Sequence, residues 1–175
     1  MIEIKTKRLV LRRLAMEHAA DVAATLNNFE VTKNLAVVPY PYSEADANEW
    51  IQSLDDITAV EDTKFAILNA EDNFVGVLGF DLDDAKPILG YYLNQAHWGK
   101  GYMSEAVSAA LEWLFANSDV QTVGSGAFTF NPASLAIQYK LGFKDVSADK
   151  RLCLAQGQQF AHIVTQLNRQ DFTPL

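Results

Sequence analysis

Apolar positions along the 175-residue chain change period several times, and each change marks an element. Residues 2–13 set Ile4, Leu9, Val10 and Leu11 among charges and predict a strand. Residues 15–26 place Ala19, Val22, Ala23 and Leu26 on one helical face. Pro39 and Pro41 interrupt. Ser43 then stands as an N-cap with Asp46 three residues on, and Ala47, Trp50, Ile51 and Leu54 follow at i, i+3, i+4, i+7. This predicts a second amphipathic helix with Trp50 in the core. Short apolar runs at 65–68, 74–80 and 88–93, joined by polar turns at 71–73 and 81–86, predict antiparallel strands. Residues 105–117 carry Ala106, Val107, Ala110, Leu111 and Leu114 at helical spacing. A strand is predicted over 120–130, where Gly124 and Gly126 imply a bulge or a close backbone approach. A short helix over 132–141 closes on Gly142. Two last strands, 152–154 and 161–167, turn around Gly157. Strand, two helices, three strands, helix, strand, helix and two strands make one α/β domain over residues 1–175, with a mixed sheet.

Composition narrows this. Hydrophobic residues make up 49% of the chain and charged ones 21%, which argues against disorder. The single Cys153 excludes an internal disulfide framework and a Cys-rich zinc site, and suits a reducing compartment. No apolar stretch approaches the roughly 20 residues that span a bilayer, and the opening MIEIKTKRL offers no apolar signal core. A cytoplasmic protein with no membrane partner is expected. Charge is uneven: Lys5, Lys7, Arg8, Arg12 and Arg13 sit beside only Glu3, whereas residues 14–175 carry 9 basic and 21 acidic side chains. So acidic a body repels a phosphate backbone and favours cationic partners such as amines. The three histidines have no metal-ligand spacing, so no metal is expected.

Candidate chemistry concentrates in residues 88–105, ILGYYLNQAHWGKGYMSE. A strand runs into Trp98-Gly99-Lys100-Gly101-Tyr102 and a helix begins at once. Glycines there leave backbone N–H groups unobstructed, and a helix N-terminus adds about half a positive charge. Together these make an anion site suited to phosphate or pyrophosphate. It is neither of the common phosphate loops: Lys100 is followed by Gly101 rather than Ser or Thr, and Ser104 stands where a dinucleotide loop needs its third glycine.

The segment LGYYLNQAHWGKGYMSEA resembles the acetyl-CoA-binding motif of the GCN5-related N-acetyltransferase (GNAT) superfamily. More narrowly it is similar to the ribosomal-protein N-terminal acetyltransferases of the RimJ/RimL type. TKRLVLRRL, NPASLAIQYKLGF and LAQGQQFAHIVTQL agree in order along nearly the whole chain. The resemblance implies a mixed, mostly antiparallel twisted sheet, flanked by helices and splayed between the fourth and fifth predicted strands. It implies acetyl-CoA as co-substrate, its pantetheine arm along Tyr91, Tyr92 and Leu93 and its pyrophosphate on the amides of Trp98, Gly99, Lys100, Gly101, Tyr102 and Met103. Where many members carry Arg or Gln three positions before the first glycine, this chain has Ala96, a position that contributes backbone.

Direct transfer to an amine needs an unprotonated nitrogen, a polarised thioester and an acid for the leaving thiolate. The resemblance implies that Asn131 contacts the cofactor arm and that Ser134 lies near the sulfur. Asn131 as N-cap with Pro132 at N1 is equally an ordinary helix start. Tyr139 is the rival acid. Many members place a tyrosine four residues before the glycine of Gly-Phe; that position is Gln138 here, and Tyr139 lies roughly 100° further around the helix. No base is singled out among Asp81, Asp83, Asp84, Glu105, Glu44, Asp46 and Glu49. His97 and His162 are taken as structural and His18 as lying on an exposed face. Tyr40, Tyr42, Trp50, Tyr91 and Tyr92 are available to wall an acceptor pocket, with 37–42 the segment that shapes it. The expected reaction is acetylation of a primary amine, the N-terminal α-amino group of a (ribosomal) protein. A small cationic amine such as a polyamine or aminoglycoside, and an acyl-CoA-binding sensor without turnover, are the alternatives. Monomer and homodimer both remain open.

Overall fold

The computed structural model describes residues 2–54, 56–84 and 86–175. One eight-stranded sheet carries the fold, and its strands run in the spatial order β1-β2-β3-β4-β5-β6-β8-β7. The first predicted strand is two, β1 (Glu3–Lys5) and β2 (Leu9–Arg13), paired antiparallel as Ile4↔Leu11. Their turn is closed by Thr6, whose amide and hydroxyl both bond to the Leu9 carbonyl. Antiparallel neighbours β3 (Lys64–Asn69), β4 (Phe74–Asp83) and β5 (Lys86–Leu93) follow as the short polar turns predicted. β6 (Thr122–Phe128) then lies parallel to β5, and β8 (Gln158–Asn168) and β7 (Lys144–Cys153) complete the sheet.

Two apolar clusters cover its two faces. On one, α4 (Tyr102–Asn117) buries Ala106, Val107, Ala110, Leu111 and Leu114 against Leu11, Phe65, Leu78, Leu89 and Val123. On the other, α1 (Ala19–Leu26), a one-turn α2 (Phe29–Thr32) and α3 (Glu44–Gln52) pack on Ala66 and Val77. The capping box predicted for α3 is present: Ser43 Oγ accepts from the Asp46 amide at 3.2 Å, and Asp46 returns a bond from the Ser43 amide at 2.7 Å. Trp50 packs only half-buried at the rim of this cluster, so it is less a core residue than its spacing implies. His18 differs from expectation altogether. It caps the turn before α1, with Nδ1 3.1 Å from the Ala15 amide, and is buried at 6% exposure.

β7 extends well upstream of the predicted 152–154. Residues 144–152 are exposed on both faces, so no alternation of apolar and polar positions marks this edge strand. Its hairpin turn is tied to the segment between α2 and α3: the Leu154 amide bonds to the Ala36 carbonyl at 3.1 Å, and Gln156 Nε2 to the Lys33 carbonyl at 3.0 Å. That strap bounds the sheet face lying between α3 and the β7–β8 hairpin.

Candidate active site

The β5/β6 junction is the fold's discontinuity. The two strands pair at one position, Ile88↔Gly124, reinforced by the Ser125 hydroxyl on the Leu89 carbonyl at 2.9 Å. Beyond it they diverge, so the edge of β5 over Gly90–Leu93 has no strand opposite it. Because the first predicted strand is really a hairpin, the splay expected between strands four and five falls between β5 and β6. It is the same junction.

At the end of β5 the chain enters the Trp98–Tyr102 loop. Asn94 caps a short turn by accepting from the Ala96 amide, and the Trp98 indole N–H donates to the Leu93 carbonyl at 3.1 Å. Gly99 and Gly101 have φ of 73° and 76°, in the left-handed region where a side chain is strained. Gly101 is itself the N-cap of α4, so the first amides of that helix have no acceptor within it. Arg8 holds the loop from outside. Its Nη1 reaches the Lys100 carbonyl at 2.8 Å, its Nε the Glu105 carboxylate at 2.7 Å, and its guanidinium lies 4.9 Å from the centre of the Tyr102 ring. Nothing in the spacing of residues 8 and 105 announces this clamp.

Glu105 is thereby spoken for. Burial alone would raise its pKa, but bonds from the Thr6 hydroxyl and from the Arg8 side chain and amide outweigh it and hold the carboxyl below its ordinary value. A carboxylate so satisfied is a brace rather than a base. The other acidic candidates lie elsewhere. Asp81 pairs with Lys64 at 2.9 Å beside the β4–β5 turn, and Asp46 is committed to Ser43. Asp46, Glu49, Tyr42, Trp50 and Pro39 line an open depression of about 360 Å³ on the helical side. A larger cleft of about 520 Å³, lined by Lys5, Lys7, Arg8, Gly101, Ser104 and Lys140 among others, opens beside the loop.

A buried polar network fills the splay on the α4 side, where α5 (Pro132–Lys140) packs. The Tyr91 hydroxyl donates to the Ser134 carbonyl at 3.0 Å, and accepts from Ser134 Oγ at 2.9 Å and Gln138 Nε2 at 3.2 Å. Gln138 also donates to the Gly126 carbonyl at 3.2 Å and accepts from Thr165 at 2.6 Å. With Ser134 Oγ at 3.4 Å as well, the residue found where a tyrosine is common gathers four partners, and the tyrosine comes instead from β5. Tyr139 is not brought to Ser134. It lies 45% exposed, with its hydroxyl on Asp145 at 2.8 Å, because the 100° step carries it off the inner face. Asn131 caps α5, accepting weakly from the Ser134 amide at 3.4 Å. Tyr92 points to the opposite face, packed on the α1–α3 cluster, and its buried hydroxyl has no partner among the described residues.

A glycine loop at a helix N-terminus, opening onto a splayed sheet edge, is an arrangement suited to an anionic ligand. The family model for an acetyltransferase (GNAT) domain matches residues 8–144, and the chain belongs to that family of N-acetyltransferases. It is 28% identical over 149 residues to the uncharacterized N-acetyltransferase p20 of Bacillus licheniformis, covering 82% of this chain and 83% of that one. It is 31% identical over 86 residues to the ribosomal protein uS5-alanine N-acetyltransferase of Escherichia coli, 49% of this chain and 44% of that one. The crystal structure of spermidine N-acetyltransferase from Vibrio cholerae with CoA and spermine superposes with a TM-score of 0.83 at 15% identity, covering 95% and 98% of the two chains. Among the described residues no three His, Cys, Asp or Glu gather as a metal site, and no helix is long and apolar enough to cross a membrane.

Proposed function

We propose that the protein transfers the acetyl group of acetyl-CoA directly to a primary amine, and that this amine is the N-terminal α-amino group of a protein in the cytoplasm. The observation that carries the reading is the loop at Gly99 and Gly101, left-handed at both glycines and opening α4 beside the unpaired edge of β5. Amides there suit a pyrophosphate. The cleft beside them, with Lys5, Lys7, Arg8 and Lys140, supplies positive charge for the nucleotide end. The free edge of β5 at Tyr91–Leu93 suits an amide-bearing arm, which brings the thioester into the splay. Acetyl-CoA supplies the activated acyl group; the chain orients it, polarises its carbonyl through backbone N–H groups and returns a proton to the thiolate. Ser134 is the donor, because its hydroxyl already lies in the splay, held there by its bond to the Tyr91 hydroxyl.

The likeness to the uS5-alanine enzyme supports a protein N-terminus as acceptor. The spermidine enzyme's likeness and the acidic depression at Asp46 and Glu49 support a polyamine as the second reading. Incubation with acetyl-CoA and a panel of N-terminal peptides, lysine peptides, polyamines and aminoglycosides, followed by thiol release and product mass, tests both. Acetylated peptide N-termini are expected. Acetylated polyamines alone transfer the assignment to the second reading, and absence of acetyl-CoA binding overturns it.

A further inference from the structure

The reaction needs a base, and the face of the sheet opposite Ser134 holds an imidazole. Alternation along the strands fixes the faces. Tyr91, Val123, Thr165 and Leu167 look toward α4 and α5, so Gly90, Gly126 and His162 look the other way, onto the face bounded by the strap. Counting two residues on from Ile88↔Gly124 places Gly90 across the splay from Gly126. Gly90 is exposed, and a Cβ there would meet nothing within 4 Å. The floor of this side of the splay is bare backbone.

His162 stands over that floor. A Cβ on Gly126 would lie 2.5 Å from its Cε1 and 2.8 Å from its Nε2, so the ring edge bearing Nε2 rests directly on Gly126. Its Nδ1 lies 2.9 Å from Asp149 Oδ1, across the β7–β8 ladder, and Asp149 is held in turn by Arg151 at 3.3 Å. An ionised carboxylate only accepts, so Nδ1 carries the hydrogen and the lone pair of the neutral ring sits on Nε2. Among the described residues Nε2 has no hydrogen-bond partner. A base oriented by a carboxylate behind it, with its free nitrogen over the glycine that borders the gap, is the arrangement that activated nucleophiles require.

We propose that His162, oriented by Asp149, is the general base that deprotonates the acceptor amine, working across Gly126 from the Ser134 acid. The inference rests on the acetyl-transfer reading given above. In the step, an N–H proton passes to Nε2, the nitrogen lone pair forms the amide bond to the acetyl carbon, and the C–S bond breaks with its electron pair on sulfur. Sulfur then takes the proton from Ser134, His162 gives its own to solvent, and Ser134 takes one back from solvent, so that one proton has left nitrogen and one has reached sulfur. Among the described residues, the charged groups that act on the ring are Asp149 and Arg151 on β7, while β6 places Gly126 and Phe128 against it. Burial first, then Arg151, lower the imidazole pKa against the opposing pull of Asp149, which leaves the ring neutral near pH 7.

The first test is NMR of 15N-histidine-labelled protein near neutral pH, with His162 assigned by the signals lost in His162→Gln. The neutral Nδ1–H tautomer is expected. An imidazolium or an Nε2–H tautomer overturns the proposal without reference to any substrate. The second uses acetyl-CoA with a peptide bearing a free N-terminal alanine, and with spermidine in parallel. His162→Gln lowers kcat by about 10²- to 10⁴-fold, removes the imidazole's ionisation from the acidic side of the kcat/KM profile so that only the amine's own ionisation remains there, and leaves acetyl-CoA affinity unchanged. Asp149→Ala keeps the imidazole and moves its ionisation to lower pH, because the charge favouring the imidazolium is gone. An acidic side unchanged from wild type in His162→Gln, or an unmoved imidazole ionisation in Asp149→Ala, overturns the dyad. Wild-type protein that shows the expected tautomer but acetylates neither amine counts against the choice of acceptor, and the dyad stands.

Discussion

Gln138 offers the sharpest test of how the splay is built. Its side chain is fully buried, and it bonds to Tyr91, Gly126, Ser134 and Thr165. Gln138→Leu keeps most of the volume and removes every one of those bonds. The Thr165 hydroxyl, in a side chain 1% exposed, and the Gly126 carbonyl then lose partners that water cannot replace. Each such group costs about 1–3 kcal/mol, so a total loss of about 2–5 kcal/mol is expected. At about 2–4 °C per kcal/mol for a domain of this size, Tm falls by roughly 5–15 °C. Thr165→Val alone strands Gln138 Oε1 and costs about 1–3 kcal/mol. Combining the two removes both ends of the 2.6 Å bond, and an apolar pair carries no unsatisfied group at that contact. The double variant should therefore be more stable than the sum of the singles by about 1 kcal/mol or more in urea titrations. Additivity within about 0.5 kcal/mol would refute the claim that this network is a closed set of mutually satisfied groups.

Ser134→Ala lowers kcat about 100-fold with unchanged acetyl-CoA affinity, whereas Tyr139→Phe leaves kcat alone, since its hydroxyl serves only Asp145; steady-state kinetics of both variants decides the acid. Gly101→Ala places a side chain at φ of 76°, costs about 1–2 kcal/mol and weakens acetyl-CoA binding measured by calorimetry. Glu105 supplies the pH dependence. A carboxyl whose folded pKa is lowered stabilises the fold above its unfolded value, near 4.5, and loses that contribution as pH falls through the folded value. Tm curves of wild type and Glu105→Gln should therefore lie apart near neutrality and converge in acid below about pH 4.5.

Much of the fold is legible along the chain because burial leaves a pattern in it. The α1, α3 and α4 stripes bury one face, and β3 and β4, buried on both, show as short apolar runs between polar turns. Misreadings fall where neither pattern is present. β7 is wet on both faces over residues 144–152, and the N-terminal hairpin turns within three residues, Thr6, Lys7 and Arg8, that carry no glycine or proline. The glycine loop could be placed because its signal is local: two glycines, a strand before and a helix after. The side chains around it could not. Arg8 meets Glu105 across 97 positions of sequence and Tyr91 meets Ser134 across 43, and His162 finds Asp149 only through the register of a hairpin. The one sequence trace of the dyad was Gly126, whose missing side chain admits the ring.

The same geometry explains how a chain this acidic can hold an anion. Most of the basic side chains in the first thirteen residues brace the domain itself: Arg12 pairs with Glu3 and Asp72, Arg13 reaches the carbonyls of Leu54 and Ile57, and Arg8 locks the loop to Glu105. In the proposed reading the grip on phosphate falls chiefly to backbone amides, whose partial charges need no counter-ion and do not change with pH. The side chains that titrate or donate are kept for the transfer and separated by β6. Ser134, Tyr91 and Gln138 lie on one face, His162 and Asp149 on the other, with Gly126 between them. Proton donor and proton acceptor on opposite sides of one strand cannot neutralise each other directly. An amine entering over Gly90 meets the base on its own side of the splay, while the leaving sulfur meets the acid on the far side. A side chain at either glycine would stand in that path, which gives these two backbone positions a chemical reason to remain bare.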